Sequence, residues 1–191
     1  MTRIAQTSIA LATMSGLAGL ASAQGVTLYF RVDVVDPLIG DTLQWTVSAE
    51  FTGYPDPTAY FGGFVGSFVA SDNSFGTASN FQNLLSGEGT PQAANGASVE
   101  GVNIFNAALL GTDDQANPID IFTFDVTWDA FGFLSYDAVG LTTVFPDDGV
   151  LTLGDEFTNF NVVSDRVGFP APGAGMGIAL GGLMVARRRR D

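Results

Sequence analysis

Three pairs of adjacent acidic residues are the only clusters in this sequence with side chains suited to catalysis or metal binding: Asp113–Asp114, Asp147–Asp148 and Asp155–Glu156. Two carboxylates hydrolyse a glycosidic bond only when they lie about 5 to 9.5 Å apart across a cleft. Adjacent residues on one strand point to opposite faces, so adjacency alone does not make such a pair. We therefore predict no catalytic residues and no enzymatic activity.

Calcium binding suits these carboxylates better than catalysis does. Ca²⁺ takes six to eight oxygen ligands from Asp, Glu and backbone carbonyls in loops, and the segment DDGVLTLGDE offers four acidic side chains. The segment lacks the alternating Asp spacing and the bidentate Glu of an EF-hand, so acidic turns without a metal remain the alternative. The predicted metal ligands are Asp147, Asp148, Asp155 and Glu156, and Ca²⁺ is the one cofactor considered.

Aromatic residues offer a second kind of chemistry, because flat rings with a polar end can stack against sugars when they are exposed. Trp45 and Trp128 lie on the apolar phase of their predicted strands, which places them in the core. Tyr29 lies on the polar phase of its strand, while Tyr54 and Tyr60 lie in a predicted loop. We predict that these three tyrosines are the exposed rings.

Composition excludes several classes of site and partner. The sequence has no Cys and no His, which removes disulfides, thiolate nucleophiles, histidine bases and Cys/His zinc sites. Residues 24–168 carry 19 acidic residues against Arg31 and Arg166, a net charge of −17. A surface this negative repels polyanions, so we expect no nucleic-acid partner.

The elements that must position these residues are strands. Apolar and polar residues alternate in VTLYFRVDV (26–34), TLQWTVSAEF (42–51) and IFTFDVTW (121–128), which is the pattern of half-buried strands. Turn signals such as Asp36–Pro37 and Pro146–Gly149 separate such segments. The sequence predicts an all-β fold in which two antiparallel sheets pack on each other as a β-sandwich.

We divide the chain into three segments. They are a signal peptide over 1–23, an extracytoplasmic β-sandwich domain over 24–168 and a C-terminal sorting or anchor segment over 169–191. Within the domain, only residues 80–85 and 104–110 have a spacing that allows short helices. The length of the chain fits one domain plus targeting segments.

The strand order of the domain resembles that of cohesin-type and related carbohydrate-binding β-sandwiches. The similarity rests on GDTLQWTV, entering its strand at Gly40–Asp41, on the glycine-rich strand FGGFVGSFVAS and on the late strand IDIFTFDVTW. These residues determine a fold, so the resemblance implies an antiparallel β-sandwich of cohesin-like or jelly-roll-like type and transfers no binding site.

The N-terminal segment has the three parts of a secretory signal. A basic start at Arg3 precedes a short apolar stretch, and Ala21 and Ala23 form the small-x-small pattern that signal peptidase cleaves. The apolar stretch is shorter than the ~20 residues of a membrane span. We predict export and a mature chain that begins near Gln24.

The C-terminal segment places fourteen uncharged residues, 173–186, before four arginines. A helix of that length covers roughly 21 Å, less than the ~30 Å hydrocarbon core, so it would be a short transmembrane helix with its basic end in the cytoplasm. A solvated basic tail is the alternative. The segment resembles the sorting signal of the PEP-CTERM family, with Ala in place of the central Glu, and the resemblance implies processing by an exosortase-type enzyme. The matching residues are Pro170, Ala171, Pro172, Arg187, Arg188, Arg189 and Arg190.

Together these features predict an exported structural or adhesive protein of the cell envelope or extracellular matrix. The C-terminal helix would hold it in the membrane at least transiently, at the cell surface or outside the cell. The alternative is a carbohydrate-binding module, calcium-dependent or not, with an extracellular polysaccharide as its partner.

Overall fold

The computed structural model describes residues 23–34, 37–54, 59–87, 89, 92–106, 116–146 and 154–169. Within these ranges the chain forms twelve β-strands and one short 3₁₀-helix, Asn73–Phe75. The strands are β1 (Gly25–Val32), β2 (Thr42–Thr52), β3 (Tyr60–Ala70), β4 (Ala78–Asn83), β5 (Ala93–Asn95), β6 (Ser98–Phe105), β7 (Ile119–Thr127), β8 (Gly132–Leu134), β9 (Tyr136–Phe145), β10 (Asp155–Phe157), β11 (Asn161–Ser164) and β12 (Val167–Phe169).

Ten of these strands form two five-stranded sheets. Sheet A has the order β11-β1-β2-β7-β4 and sheet B has the order β10-β9-β3-β6-β5, while β12 and β8 make a separate pair. The pairs are antiparallel except for β1 and β11, which run parallel. The predicted all-β antiparallel sandwich is confirmed, with that one parallel pair as an addition.

The three predicted strands bury the predicted phase. In β2, Leu43, Trp45 and Val47 are fully buried, and the polar residues between them face outward. Alternate residues of a strand point to opposite faces, so one apolar phase is enough to cover one side of a sheet. Val26, Leu28 and Phe30 of β1 and Phe122, Phe124 and Val126 of β7 follow the same rule.

Aromatic rings from both sheets meet in one core around Phe68 of β3. Its ring lies 5.2 Å from that of Phe30 in β1 and 5.1 Å from that of Phe64 on its own strand. The rings of Phe122 and Phe124 in β7 lie 5.6 and 6.3 Å away. Edge-to-face and offset contacts of this kind add to the free energy of burial, so Phe68 joins the two sheets.

The structure differs from the sequence-based expectation in two places. Residues 80–83 belong to β4 and residues 104–105 end β6, so strands take the place of these parts of the expected short helices. The register of β2 and β7 shifts between Val47 and Ser48, which leaves Ile121 without a cross-strand partner in β2. Ile121 and Phe122 are consequently both buried, because the bulge changes the phase that faces the core.

The 3₁₀-helix is an addition to the predicted strands, and Asp72 caps its N-terminus. The Asp72 carboxylate accepts a hydrogen bond from the backbone N–H of Ser74 at 2.8 Å and another from the Ser74 hydroxyl. Both bonds favour the ionised carboxylate and lower the pKa of Asp72. Asp72 therefore acts as an N-cap.

Strands β3 and β9 approach closely where Gly66 faces Gly140. A Cβ added at Gly140 would lie 2.2 Å from the carbonyl oxygen of Val65 and 2.8 Å from the Cα of Gly66. Both atoms belong to the backbone of a central strand, so relief of the clash would require the strands to separate.

We expect Gly140→Ala to lower the free energy of unfolding by about 1 to 3 kcal/mol, the usual range for overpacking. Gly25→Ala is the matched control, because a Cβ there would lie 3.8 Å from the Thr52 hydroxyl, an ordinary contact. Urea denaturation of both variants measures the difference. Equal stabilities would show that the close approach of β3 and β9 carries no constraint.

The predicted signal peptide and the predicted C-terminal helix lie outside the described residues, apart from Ala23 and Phe169 at their borders. Ala23 is exposed just before β1. Within the described ranges, no helix has the length and apolar character needed to cross a membrane.

Candidate binding surface

The structure describes two of the four predicted metal ligands. Asp155 lies half-buried in the edge strand β10, where its carboxylate accepts a hydrogen bond from the Tyr54 hydroxyl at 3.0 Å. Glu156 is exposed and lies opposite Thr143 of β9. Asp147 and Asp148 lie outside the described residues, as does the pair Asp113–Asp114. The described part of the chain contains no group of three or more acidic residues that would hold a metal ion.

The sorting-motif residues, and Ala21 of the cleavage site, also lie outside the described residues, so those predictions stay predictions. They concern Pro170, Ala171, Pro172 and the four arginines 187–190.

The predicted positions of the aromatic side chains are partly confirmed. Trp45 and Trp128 are buried in the core, as expected. Tyr60 is buried as well, stacked on Phe145 at 5.3 Å, so the prediction that it is exposed is wrong. The physical reason is that Tyr60 begins β3 beside the end of β9, where the two rings cover each other.

Tyr29 and Tyr54 are half-buried, and each donates its hydroxyl proton to a carboxylate. Tyr29 donates to Glu50 at 2.5 Å, and Tyr54 donates to Asp155. The hydrogen bond to Glu50 raises the pKa of Tyr29. Burial is the larger cause, and the bond to Asp155 the smaller one, of the raised pKa of Tyr54. Neither hydroxyl is available as the free polar end of a sugar-stacking platform.

These hydrogen bonds predict a loss of stability in alkali. Burial also raises the pKa of Tyr136 above its ordinary 10.0. Because the folded state holds these protons more tightly than the unfolded state, the stabilisation is complete below a pH of about 10 and is lost as pH rises through the folded-state pKa values. Urea denaturation across that range should show a falling free energy of unfolding. Tyr54→Phe should make the fall shallower, and an unchanged slope would contradict the assignment.

The outer face of sheet A is polar and internally hydrogen-bonded. The Ser48 hydroxyl of β2 donates to Asp120 of β7 at 2.5 Å, and Asn80 of β4 donates to Asp125 at 2.9 Å. The Arg31 guanidinium lies 5.6 Å from the centre of the Tyr29 ring. This is the usual arrangement for an antiparallel sheet with one face in water.

The outer face of sheet B departs from that arrangement. Val65 and Val69 of β3 point outward and are 52% and 39% exposed, and Val139 of β9 is 65% exposed. Val139 lies opposite Ser67, diagonally between the two valines, and the half-buried Leu141 lies opposite Val65. Diagonal neighbours across a strand pair are within reach of each other, so these four residues form one aliphatic patch, the valine face.

Acidic residues flank the valine face. Glu100 in β6, Asp137 in β9 and Glu156 in β10 are all exposed. The strands of sheet B contain no Arg or Lys. The surface therefore combines an apolar centre with a negative border.

A pocket of about 230 Å³ opens at one end of sheet B, lined by Gly62, Gly63, Phe105, Asn106 and Phe145 among others. Phe105 is 44% exposed. A Cβ added at Gly62 would lie 2.4 Å from the Phe145 ring, so the absence of a side chain there lets the ring lie against the strand.

The sequence of β3 contains a signal for the valine face that the alternation of apolar and polar residues does not capture. Strand β3, YFGGFVGSFVA, is apolar on both phases, whereas β2 is apolar on one. Phe64 and Phe68 already fill the core phase, so Val65 and Val69 have to face outward.

Comparisons with known proteins identify the fold. No family model and no curated protein matches the chain. A type I cohesin–dockerin complex from Clostridium thermocellum matches with a TM-score of 0.52 at 13% identity, covering 74% of this chain and 98% of that one. The seventh ScaB type I cohesin from Pseudobacteroides cellulosolvens matches with a TM-score of 0.51 at 10% identity, covering 75% and 91%. The expected cohesin-like sandwich is confirmed as a fold.

Proposed function

We propose that this protein is an exported, non-catalytic adhesive module of the cell envelope or extracellular matrix, and that it binds another protein on the outer face of sheet B. The valine face is the observation that carries this proposal. Contiguous apolar patches bordered by polar residues mark protein interaction sites in soluble proteins. The polar outer face of sheet A offers no comparable surface.

The composition of the valine face and its border matches that of a docking surface. A protein interface has a water-excluded apolar centre and a polar rim that is accessible to solvent. Val65, Val69 and Val139 would supply the centre, and Glu100 and Asp137 the rim. The net charge of −13 disfavours association of this chain with itself and attracts a basic partner surface.

The structural neighbours are consistent with a docking role. The Clostridium thermocellum module was solved in complex with a dockerin, a protein partner. For the present chain, we propose protein docking as the general mode and a basic surface as the partner's chemistry.

No catalytic role is proposed. The sequence lacks His and Cys, and Asp155 and Glu156 are neighbours on one strand and so point to opposite sides. The Asp155 carboxylate is also engaged by the Tyr54 hydroxyl.

The proposed location of the protein rests on its two ends. A secretory signal cleaved after Ala23 would export the chain, and the C-terminal segment would hold it at the cell surface until an exosortase-type enzyme processes the Pro170–Pro172 motif. The apolar stretch and the four arginines support this proposal through the positive-inside tendency.

Carbohydrate binding is the second candidate, favoured by the pocket beside Phe105. An exposed ring beside a glycine backbone forms a cleft that would accept one face of a sugar. Asn103 and Thr143 add polar groups to its lining. Ca²⁺ at Asp147, Asp148, Asp155 and Glu156 would belong to this alternative.

Binding to isolated cell envelopes separates the two candidates. A labelled sample of the exported chain should bind saturably, and protease treatment of the envelopes should abolish binding because the proposed receptor is a protein. A glycan array with Ca²⁺ or with chelator provides the opposing arm. Binding that survives protease but is removed by glycosidases, together with array binding that Phe105→Ala abolishes, would overturn the protein-docking proposal.

A further inference from the structure

Apolar side chains are exposed at one pole of the sandwich. Leu38 and Ile39, in the turn between β1 and β2, are 70% and 53% exposed, and Phe131, in the turn between β7 and β8, is 52% exposed. The two turns are neighbours, because the backbone N–H of Gly40 donates to the carbonyl of Trp128 at 2.8 Å. The same pole therefore presents three large apolar side chains to solvent.

The Leu38–Ile39 turn is held in place by hydrogen bonds. The Asp41 carboxylate accepts from the backbone N–H of Leu38 at 2.7 Å, and the Asp41 N–H donates to the Leu38 carbonyl at 3.0 Å. The N–H of Trp128 donates to the Asp41 carbonyl at 2.8 Å. The exposed side chains are thus held on a fixed turn, which lowers the entropy cost of burying them in a binding partner or a lipid layer.

Phe169, where the last described range of the chain ends, lies at this pole. Strand β12 pairs with β8, and Phe169 lies opposite Gly132, the residue after Phe131. The apolar stretch begins at Gly173, four residues beyond Phe169. Even a fully extended chain covers only about 14 Å over four residues.

This short connection limits the distance between the pole and the membrane. If the apolar stretch enters the hydrocarbon core, the pole lies within about 14 Å of it, and the headgroup layer alone occupies roughly 5 to 7 Å of that distance. An apolar segment of fourteen residues is also too short for a firm anchor, so additional contacts with the interface would stabilise attachment.

The charges at the pole indicate the kind of lipid surface. Asp33, Asp41 and Asp165 lie in the turns around it, with Arg166 stacked at 4.0 Å on Phe133. The three carboxylates accept backbone hydrogen bonds from Gln44, Leu38 and Val32, and they give the pole a negative potential. Headgroups without net negative charge are therefore favoured.

We infer that this pole rests on a lipid surface of low negative charge, with Leu38, Ile39 and Phe131 in its interfacial layer. The inference depends on the proposed membrane attachment through the C-terminal segment. It goes beyond that attachment by fixing the orientation of the domain. The strands run roughly perpendicular to the membrane plane, and the outer faces of both sheets are exposed to the aqueous phase. The valine face would then be accessible to a partner.

Single-cysteine labelling tests this orientation directly, because the natural sequence has no Cys to remove. The exported chain with its C-terminal segment intact is reconstituted in phosphatidylcholine vesicles, carrying an environment-sensitive fluorophore at Ile39→Cys or Phe131→Cys. Val163→Cys is the matched control, since Val163 is 51% exposed but lies opposite Tyr29 within sheet A. Nitroxide-bearing lipids should quench the Ile39 and Phe131 labels and leave the Val163 label bright.

A substitution series gives the second measurement. Leu38→Asp with Ile39→Asp should weaken vesicle binding about tenfold or more, because each lost side chain forfeits part of its burial energy. Val163→Asp should leave binding unchanged.

The outcomes distinguish the two proposals. If the chain floats with the vesicles but its Ile39 and Phe131 labels are as bright as the Val163 label, the orientation is wrong and the attachment stands. If the chain does not float with the vesicles, both are wrong. If the fluorescence of the Ile39 and Phe131 labels shifts to shorter wavelength without nitroxide quenching, the pole contacts protein and the lipid assignment is overturned.

Discussion

Phe68→Ala is expected to lower the free energy of unfolding by about 3 to 5 kcal/mol, the range for truncating a large buried side chain. The Phe68 ring is fully buried and contacts rings from β1, β3 and β7, so its removal leaves a cavity between the two sheets. A domain has a free energy of unfolding of about 5 to 15 kcal/mol, so this substitution would remove a large share of its stability. Urea denaturation monitored by tryptophan fluorescence measures the loss.

Val69→Ala is the control for that prediction. Val69 is the next residue on the same strand, faces outward and is 39% exposed, so its truncation should change stability by well under half as much. Similar losses in the two variants would contradict the assignment of the two faces of β3.

The second large effect is expected on binding. The double variant Val65→Glu/Val139→Glu should weaken saturable binding to isolated envelopes by about a hundredfold or more, because docking would bury two unpaired carboxylates at the centre of the interface. The added negative charges would attract a basic partner at long range, so the expected loss of binding comes from desolvation of the two carboxylates at the apolar centre and not from charge repulsion. Both valines are more than half exposed, so the free protein should keep its stability.

The matched control places one glutamate on the opposite sheet. Val163 is 51% exposed on β11 of sheet A, and Val163→Glu should bind like the wild type. Equal loss in all variants would indicate a general charge effect. Unchanged binding by the double variant would exclude the valine face as the docking surface.

Much of the fold is predictable from local pattern. Strands β1 and β2 each have one apolar phase, so residues such as Leu28 and Trp45 are assigned to the core without knowledge of their partners. The same pattern does not predict which strands pair, because pairing is set by contacts distant in sequence. The parallel contact between β1 and β11 is an example.

The candidate site was harder to predict. The sequence predicts an exposed Tyr60 within a loop, yet Tyr60 begins β3 and a ring from β9 covers it. The bulge at Ile121 depends on the register with β2, which the sequence of β7 does not contain. The valine face arises from two strands that are not consecutive in sequence, and their alignment makes separate apolar residues into one patch.

Site-specific photo-crosslinking in the native cell tests the docking role of sheet B most directly. A photoreactive residue replaces Val65 or Val139 on the valine face, or Thr46 on the outer face of sheet A as the control. We predict a discrete protein adduct from positions 65 and 139 and none from position 46. Adducts from position 46 alone, or none from the valine face while the wild type binds envelopes, would contradict the proposed docking surface.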